Sequence, residues 1–216
     1  SGNTSGFESL LYINGSPYQA VDTNHPDVIL DDFAGQTIEL VFLLWSGILT
    51  DLAGNEEHCF KRAQIGYLDT KIDKLHYCSQ TILQLINEIP NNSTDRTEMI
   101  DALDSAFNEV DWDDDRVRDS AHLAADVLEE RLSTLEKHSN VMVHCIGHTH
   151  IDVAWLWRLR NTREKAIRSF STVLRLMEEY PEYNFFQSQP QLYSYLKQDC
   201  PELYSKIKQR VEEGRW

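Results

Sequence analysis

The side chains of this sequence that could do chemistry are concentrated in Gly147-His148-Thr149-His150-Ile151-Asp152-Val153-Ala154-Trp155. Imidazole nitrogen and carboxylate oxygen are the ligands that zinc and neighbouring divalent metals take. Along an extended backbone, side chains two residues apart point the same way, so His150 and Asp152 could share one ion. His148 has the same parity and could be a third ligand or a hydrogen-bonding support of one. Trp155 offers an apolar ring suited to the face of a sugar. A His-X-Asp pair also arises by chance on protein surfaces, and spacing alone leaves both readings open.

Such a stretch is useful only where the surrounding chain holds it. Val141-Met142-Val143-His144-Cys145-Ile146 is a nearly continuous apolar run, expected as a buried parallel strand. The chemical stretch then follows the strand's C-terminal end, where open α/β sheets and barrels place their sites. A helix is expected from Asn161, whose side chain would cap it while Glu164 completes the capping box. Ala166, Ile167, Phe170, Val173, Leu174 and Met177 form its buried face, and Pro181 follows its end. Asn184-Phe185-Phe186-Gln187-Ser188 reads as the next strand. Pro190 suits the first position of another helix. Leu203, Ile207 and Val211 mark one more, with Gly214 as its C-cap. Strand, helix, strand, helix, helix is the opening of an α/β domain.

Two other segments precede it. Up to about Gly54 the chain is strand-like: Leu10-Leu11-Tyr12-Ile13 leads into the turn dipeptide Asn14-Gly15, and Thr37 to Trp45 is a second strand between Gly35 and Gly47. Two strands make no stable sheet alone, so further structure is expected beside them. From Phe60 to His138 the pattern is helical. Ile65, Leu68, Ile72, Leu75, Ile82, Ile86 and Ile89 recur at three- and four-residue steps, with Ser79 the polar exception and Pro90 the stop. Met99, Leu103, Ala106, Phe107 and Val110 mark a second helix; Val117, Ala121, Ala124, Leu128 and Leu135 mark a third, and the three are expected to pack as a small bundle. Asp113-Asp114-Asp115 lacks the full calcium-loop pattern and reads as first-turn acids facing the helix dipole.

Composition narrows the function. Hydrophobic residues at 41% and charged residues at 25% are those of a globular protein with a real core. The net charge of -15 argues against nucleic acid and against anionic membranes as partners. A neutral sugar fits such a charge. Cys59, Cys78, Cys145 and Cys200 show no framework spacing, which suits reduced thiols in the cytoplasm. No secretion signal is read in the polar opening Ser1-Gly2-Asn3-Thr4-Ser5-Gly6, so the glycosylation-like triplets at Asn3 and Asn92 are taken as chance.

The run His148-Thr149-His150-Ile151-Asp152-Val153-Ala154-Trp155-Leu156-Trp157, with Phe186-Gln187-Ser188-Gln189-Pro190 after the helix, resembles the start of the catalytic domain of glycoside hydrolase family 38, the retaining α-mannosidases. Within that family it is most similar to the cytosolic and bacterial branch. The Golgi and lysosomal branches carry Asn-Asp-Pro-Gly-Trp where this chain has Ile151-Asp152-Val153-Ala154-Trp155. Leu11-Tyr12-Ile13-Asn14-Gly15 and Gln19 to His25 resemble the β domain that precedes the catalytic domain in that branch. The resemblance implies one divalent metal, usually zinc, with His150 and Asp152 as two ligands and Trp155 lining the mannose pocket. His148 belongs to the motif without being carried over as a ligand. The implied substrate is a mannose-containing oligosaccharide; homo-oligomerisation of the full-length enzyme is left open. The nucleophilic aspartate, a further histidine ligand and the acid/base aspartate would all follow Trp216. These 216 residues alone are therefore expected to be inactive and to bind metal weakly.

The fold expected is mixed α and β: a partial β domain over 1–57, a helical linker or bundle over 58–139, and from 140 to 216 the first β/α units of a (β/α) barrel-like catalytic domain. Two alternatives stand beside it. A metallo-β-lactamase-type hydrolase shares the start of the His-X-His-X-Asp-His motif, but its last histidine would fall at Val153, and a helix follows here. A non-catalytic carbohydrate-binding module is the other.

Overall fold

The computed structural model describes residues 7–22, 24–46, 63–113, 115–136, 141–155 and 157–216. The opening Ser1 to Gly6, Gly47, Gly54, Cys59, Phe60, Asp114, His138 and Leu156, all invoked above, lie outside these residues. The chain forms two compact units, one of residues 1–60 with 143–216 and one of residues 61–142. The architecture is mixed α and β, with small sheets and six α-helices among the described residues.

The first unit opens with β1 (Phe7–Ile13) and β2 (Ser16–Val21), joined by Asn14-Gly15. Both turn residues have positive φ, 51° and 83°, the backbone that a two-residue hairpin turn demands and that Asn-Gly tolerates. β3 (Leu40–Ser46) pairs antiparallel with the other side of β1, giving the order β2-β1-β3. The turn also receives β3: the Asn14 N–H donates to the Glu39 carbonyl (3.0 Å) and Asn14 Oδ1 accepts the Glu39 N–H (2.9 Å). The further structure that the hairpin needed comes from α4 (Leu159–Glu179), more than 130 residues away in sequence. Thr172 Oγ1 of α4 accepts the Ala20 N–H of β2 at 2.9 Å. Glu8 of β1 is bonded by Lys165 (3.0 Å) and Arg168, and the Arg175 guanidinium lies 4.5 Å from the Tyr18 ring centroid.

α4 therefore has two working faces. Ala166, Phe170, Val173, Leu174 and Met177 meet Ile151, Phe185, Leu192, Leu196, Leu203 and Ile207 in the main core. The stripe Lys165, Arg168, Thr172 and Arg175, at helical spacing, meets the N-terminal sheet instead of water. β4 (Gly147–His148) and β5 (Phe185–Phe186) flank α4 in sequence and pair in parallel. α5 (Pro190–Asp199) and α6 (Pro201–Glu212) follow, each with proline at its first position. Gly214, at φ 73°, closes α6: its N–H reaches the Val211 carbonyl and the Arg215 N–H the Arg210 carbonyl, the paired bonds of a glycine C-cap.

Several expectations are corrected. Residues 141–146 are not a buried strand: Val141, Met142, Val143 and Ile146 are exposed, and β4 among the described residues is Gly147–His148. Their apolar side chains are left exposed, so periodicity alone overstated the strand. α4 begins at Leu159, not after Asn161; Asn161 is its third residue, and its Oδ1 accepts the Arg158 N–H at 3.3 Å. Asp113 lies ahead of the third helix rather than in its first turn; it pairs with Arg116, and Asp119 is the first-turn acid.

The second unit holds α1 (Thr70–Glu88), α2 (Thr94–Phe107) and α3 (Val117–Ser133). Leu75, Ile82, Ile86, Leu103, Ala106, Ala124 and Leu128 form its core, as the seam implied. The seam is shorter than expected, since Ile65 and Leu68 precede α1 and are exposed. Asp69 caps α1 by accepting the Ile72 N–H, and the same carboxylate binds Arg118 (2.9 Å) and His122 (2.8 Å) of α3.

Candidate metal corner

β4 is only two residues long because its neighbour is. Gly147 pairs with Phe185 and His148 with Phe186, and the Gly147 N–H donates to the Asn184 carbonyl at 2.8 Å. Tyr183 lies so close over Gly147 that a Cβ there would sit 2.0 Å from its hydroxyl oxygen. Only glycine admits that approach.

Past His148 the backbone ladder stops and side chains continue it. Gln187 Nε2 donates to the Thr149 carbonyl, and Gln189 Nε2 donates to the Ile151 carbonyl at 2.9 Å. Gln187 is itself buried and bonded at both ends of its amide: its Oε1 accepts the Gln189 N–H (3.0 Å), and its carbonyl accepts the Tyr193 hydroxyl (2.7 Å). Ile151 is fully buried in the main core. His148 and His150, at alternate positions, are exposed. Thus the loop is nailed inward at Ile151 and tethered sideways at two carbonyls.

His150 and Asp152 do converge. His150 Nε2 lies 3.1 Å from Asp152 Oδ1, with the side chains 77% and 44% exposed. That separation is a hydrogen bond in the absence of an ion. It is also the spacing of two donors about 2.0–2.2 Å from one zinc, at an angle of roughly 95–100°. The donor set, one imidazole and one carboxylate open to solvent, fits two corners of a divalent-metal site. Among the described residues no third His, Cys, Asp or Glu joins them in a cluster, and His148 is not brought into one.

Beyond Asp152 the chain bends through Ala154, whose φ of 65° is unusual for a residue with a Cβ. Thr162, fully buried on the first turns of α4, holds this bend. Its hydroxyl donates to the Asp152 carbonyl (3.1 Å) and accepts the Ala154 N–H (3.1 Å) and the Trp157 indole N–H (3.0 Å). Trp157 stands edge-on between Trp45 (6.3 Å between centroids) and Trp155 (5.3 Å). Trp155 is 62% exposed, leaving an aromatic surface beside the His150–Asp152 pair in sequence and available to a ligand.

Thr162, Gln187 and Gln189 were not singled out from sequence as parts of the site. One signal was present: two glutamines at strand period, directly after an apolar strand, are polar residues placed to extend a ladder. Asp199, in a helical pattern, lies in α5 and is bound to Arg163 of α4. Cys78, Cys145 and Cys200 are free thiols.

Residues 140–216 match the model of the glycosyl hydrolases family 38 N-terminal domain. Over 155 residues, 72% of the chain, the sequence is 32% identical to alpha-mannosidase G of Dictyostelium discoideum. It is 46% identical over 65 residues (30% of the chain) to alpha-mannosidase of Saccharomyces cerevisiae and 43% identical over 74 residues (34%) to human alpha-mannosidase 2C1. The aligned parts span 14%, 6% and 7% of those proteins' lengths. Residues 140–216 therefore belong to the N-terminal domain of glycoside hydrolase family 38.

Proposed function

We propose that the intact protein is a retaining, metal-dependent α-mannosidase that removes terminal α-mannosyl residues from oligosaccharides. Residues 140–216 contribute the first β/α units of its barrel-like catalytic domain, after a β-rich domain over 1–57 and a helical linker over 58–139. The observation that carries this reading is the convergence of His150 Nε2 and Asp152 Oδ1 to 3.1 Å inside the segment that matches the family.

His150 and Asp152 would hold one divalent ion, zinc by preference for mixed imidazole and carboxylate donors. When bound, the ion supplies positive charge that polarises and orients oxygen atoms of the substrate. The chain's own residues do the rest of this corner's work. Ile151 anchors the loop beneath, so that its two neighbours face outward. Trp155 presents a ring to the apolar face of a pyranose, and Trp157 backs it edge-on. His148, exposed two residues before His150, would support the ligands. No nucleophile or acid/base is assigned within these residues, so activity belongs to the intact protein. Free thiols support a cytoplasmic setting. No helix among the described residues is long and apolar enough to cross a membrane.

The test is His150→Ala and Asp152→Asn in the intact protein, scored by bound metal and by hydrolysis of an aryl α-mannoside. Both side chains are exposed enough to be replaced without unfolding. Each variant should lose its metal and more than about 100-fold in kcat/KM, because the ion is worth several kcal/mol to the transition state. Full metal content and full activity in either variant would overturn the assignment.

A further inference from the structure

We propose that Gln187 and Gln189 are the positioning residues of the metal corner, setting its affinity by fixing the backbone on either side of His150 before any ion arrives. The proposal rests on the reading of His150 and Asp152 as ligands. The geometry that points to it is a juxtaposition across 38 residues of sequence. Thr149 and Ile151, the two residues flanking His150, each have their carbonyl held by a glutamine amide from the segment after β5. The carbonyl of Asp152 is held by the Thr162 hydroxyl. Three successive anchor points therefore define a stretch whose ligand side chains themselves are exposed.

Ordinary strand pairing could not do this. β4 and β5 end at His148 and Phe186, and a longer β4 would need Gln187 and its successors as backbone partners. The glutamine side chains reach further than backbone and let the loop leave the sheet while its carbonyls stay bonded. The amide orientation of Gln187 is dictated by chemistry: its oxygen meets the Gln189 N–H and its nitrogen a carbonyl, so neither end is interchangeable. Glutamate at 187 keeps the shape and the acceptor but turns the donor to Thr149 into a repelling oxygen. Without the tethers, each residue of the loop regains backbone freedom that metal binding must remove again. Supports of metal ligands typically change affinity by about 10–100-fold.

The experiment is cobalt(II) titration of the chelator-stripped intact protein, read by the ligand-field absorption of the bound ion. The proteins compared are the parent, Gln189→Leu, Gln187→Glu, His150→Ala and, as a control, Ser171→Ala. Ser171 is equally buried, and its hydroxyl donates to the Ile167 carbonyl within α4, so its loss tests stability without touching the loop. Gln189→Leu and Gln187→Glu should weaken cobalt binding by about 10–100-fold and alter the absorption band, while Ser171→Ala leaves both unchanged. Should Gln187→Glu fail to fold, Gln189→Leu, whose side chain is less buried, carries the test alone. Cobalt affinity in Gln189→Leu equal to the parent, with His150→Ala losing it, would overturn the positioning role and leave the ligands standing. A parent that binds no cobalt, or a His150→Ala variant that binds it fully, would overturn the ligand reading instead.

Discussion

Replacing Glu8 with glutamine should destabilise the unit of residues 1–60 and 143–216 by about 2–3 kcal/mol, although Glu8 lies far in sequence from the helix it serves. Its carboxylate is bonded by Lys165 and Arg168 of α4. Burial pushes the Arg168 guanidinium pKa down, and the Glu8 carboxylate is the foremost charge opposing that shift. Removing one partner of a buried ion pair costs roughly 3–5 kcal/mol, because the other charge is left uncompensated. Arg168 approaches that limit with 8% of its side chain exposed, whereas Glu8 and Lys165, at 20% and 22%, keep some access to water. Glutamine also retains one acceptor, which together with that access sets the cost below the full figure. In an Arg168→Met background the stranded charge is gone, and the same Glu8→Gln change should cost less than about 1 kcal/mol. The assay is urea unfolding followed by tryptophan fluorescence. Four of the five tryptophans, Trp45, Trp155, Trp157 and Trp216, lie in this unit and Trp112 in the helical one, so the Trp112→Phe background is used and the midpoint reported is that of this unit. A Glu8→Gln cost under about 0.5 kcal/mol, or equal costs in the two backgrounds, would refute the account of how the sheet is held on α4.

Thr162→Val should cost about 2–3 kcal/mol, since it strands two N–H donors and a carbonyl around a fully buried site, whereas Thr162→Ser should be close to neutral in the same unfolding assay. In the helical unit, the Asp69 carboxyl is held at about 2, chiefly by its bond to His122 and against the effect of burial. A carboxyl with a lowered folded pKa stabilises above its unfolded value near 3.9 and loses that contribution as pH falls toward about 2. Far-UV circular dichroism from pH 5 to pH 1.5 should therefore show an acid transition whose pH dependence is weaker in Asp69→Asn. Ser79 is buried in the same unit with its hydroxyl unpartnered among the described residues. Ser79→Ala should raise stability by roughly 0.5–1.5 kcal/mol, measured by thermal unfolding, through removal of that unmet group and a gain in helix propensity.

Local chemistry was the legible part of this fold. Asn14-Gly15 announces its hairpin because few dipeptides tolerate two positive φ angles, and Pro190 and Gly214 mark helix ends for equally local reasons. The apolar face of α4 follows from its period, as does the core of the three-helix unit. What escaped was everything decided by distant partners. Lys165, Arg168, Thr172 and Arg175 form a polar stripe that would face water on an isolated helix; only the N-terminal sheet turns it into an interface. Residues 141–146 have the composition of a buried strand, yet strand identity needs a neighbour, and the pairing begins only at Gly147. At the site, parity placed the side chains of His150 and Asp152 on one side, and they meet at 3.1 Å, but a ligand role came only from the family resemblance. Gln187, Gln189 and Thr162 were not, because a side chain bonding a backbone carbonyl leaves no periodic trace.

The claim on which the functional reading depends is that His150 and Asp152 ligate one ion. It is tested most directly by crystals of the intact protein measured on both sides of the zinc absorption edge. An anomalous peak about 2.0–2.2 Å from both His150 Nε2 and Asp152 Oδ1 is the result expected. A peak elsewhere, with these two atoms still hydrogen-bonded to each other at 3.1 Å, would contradict it.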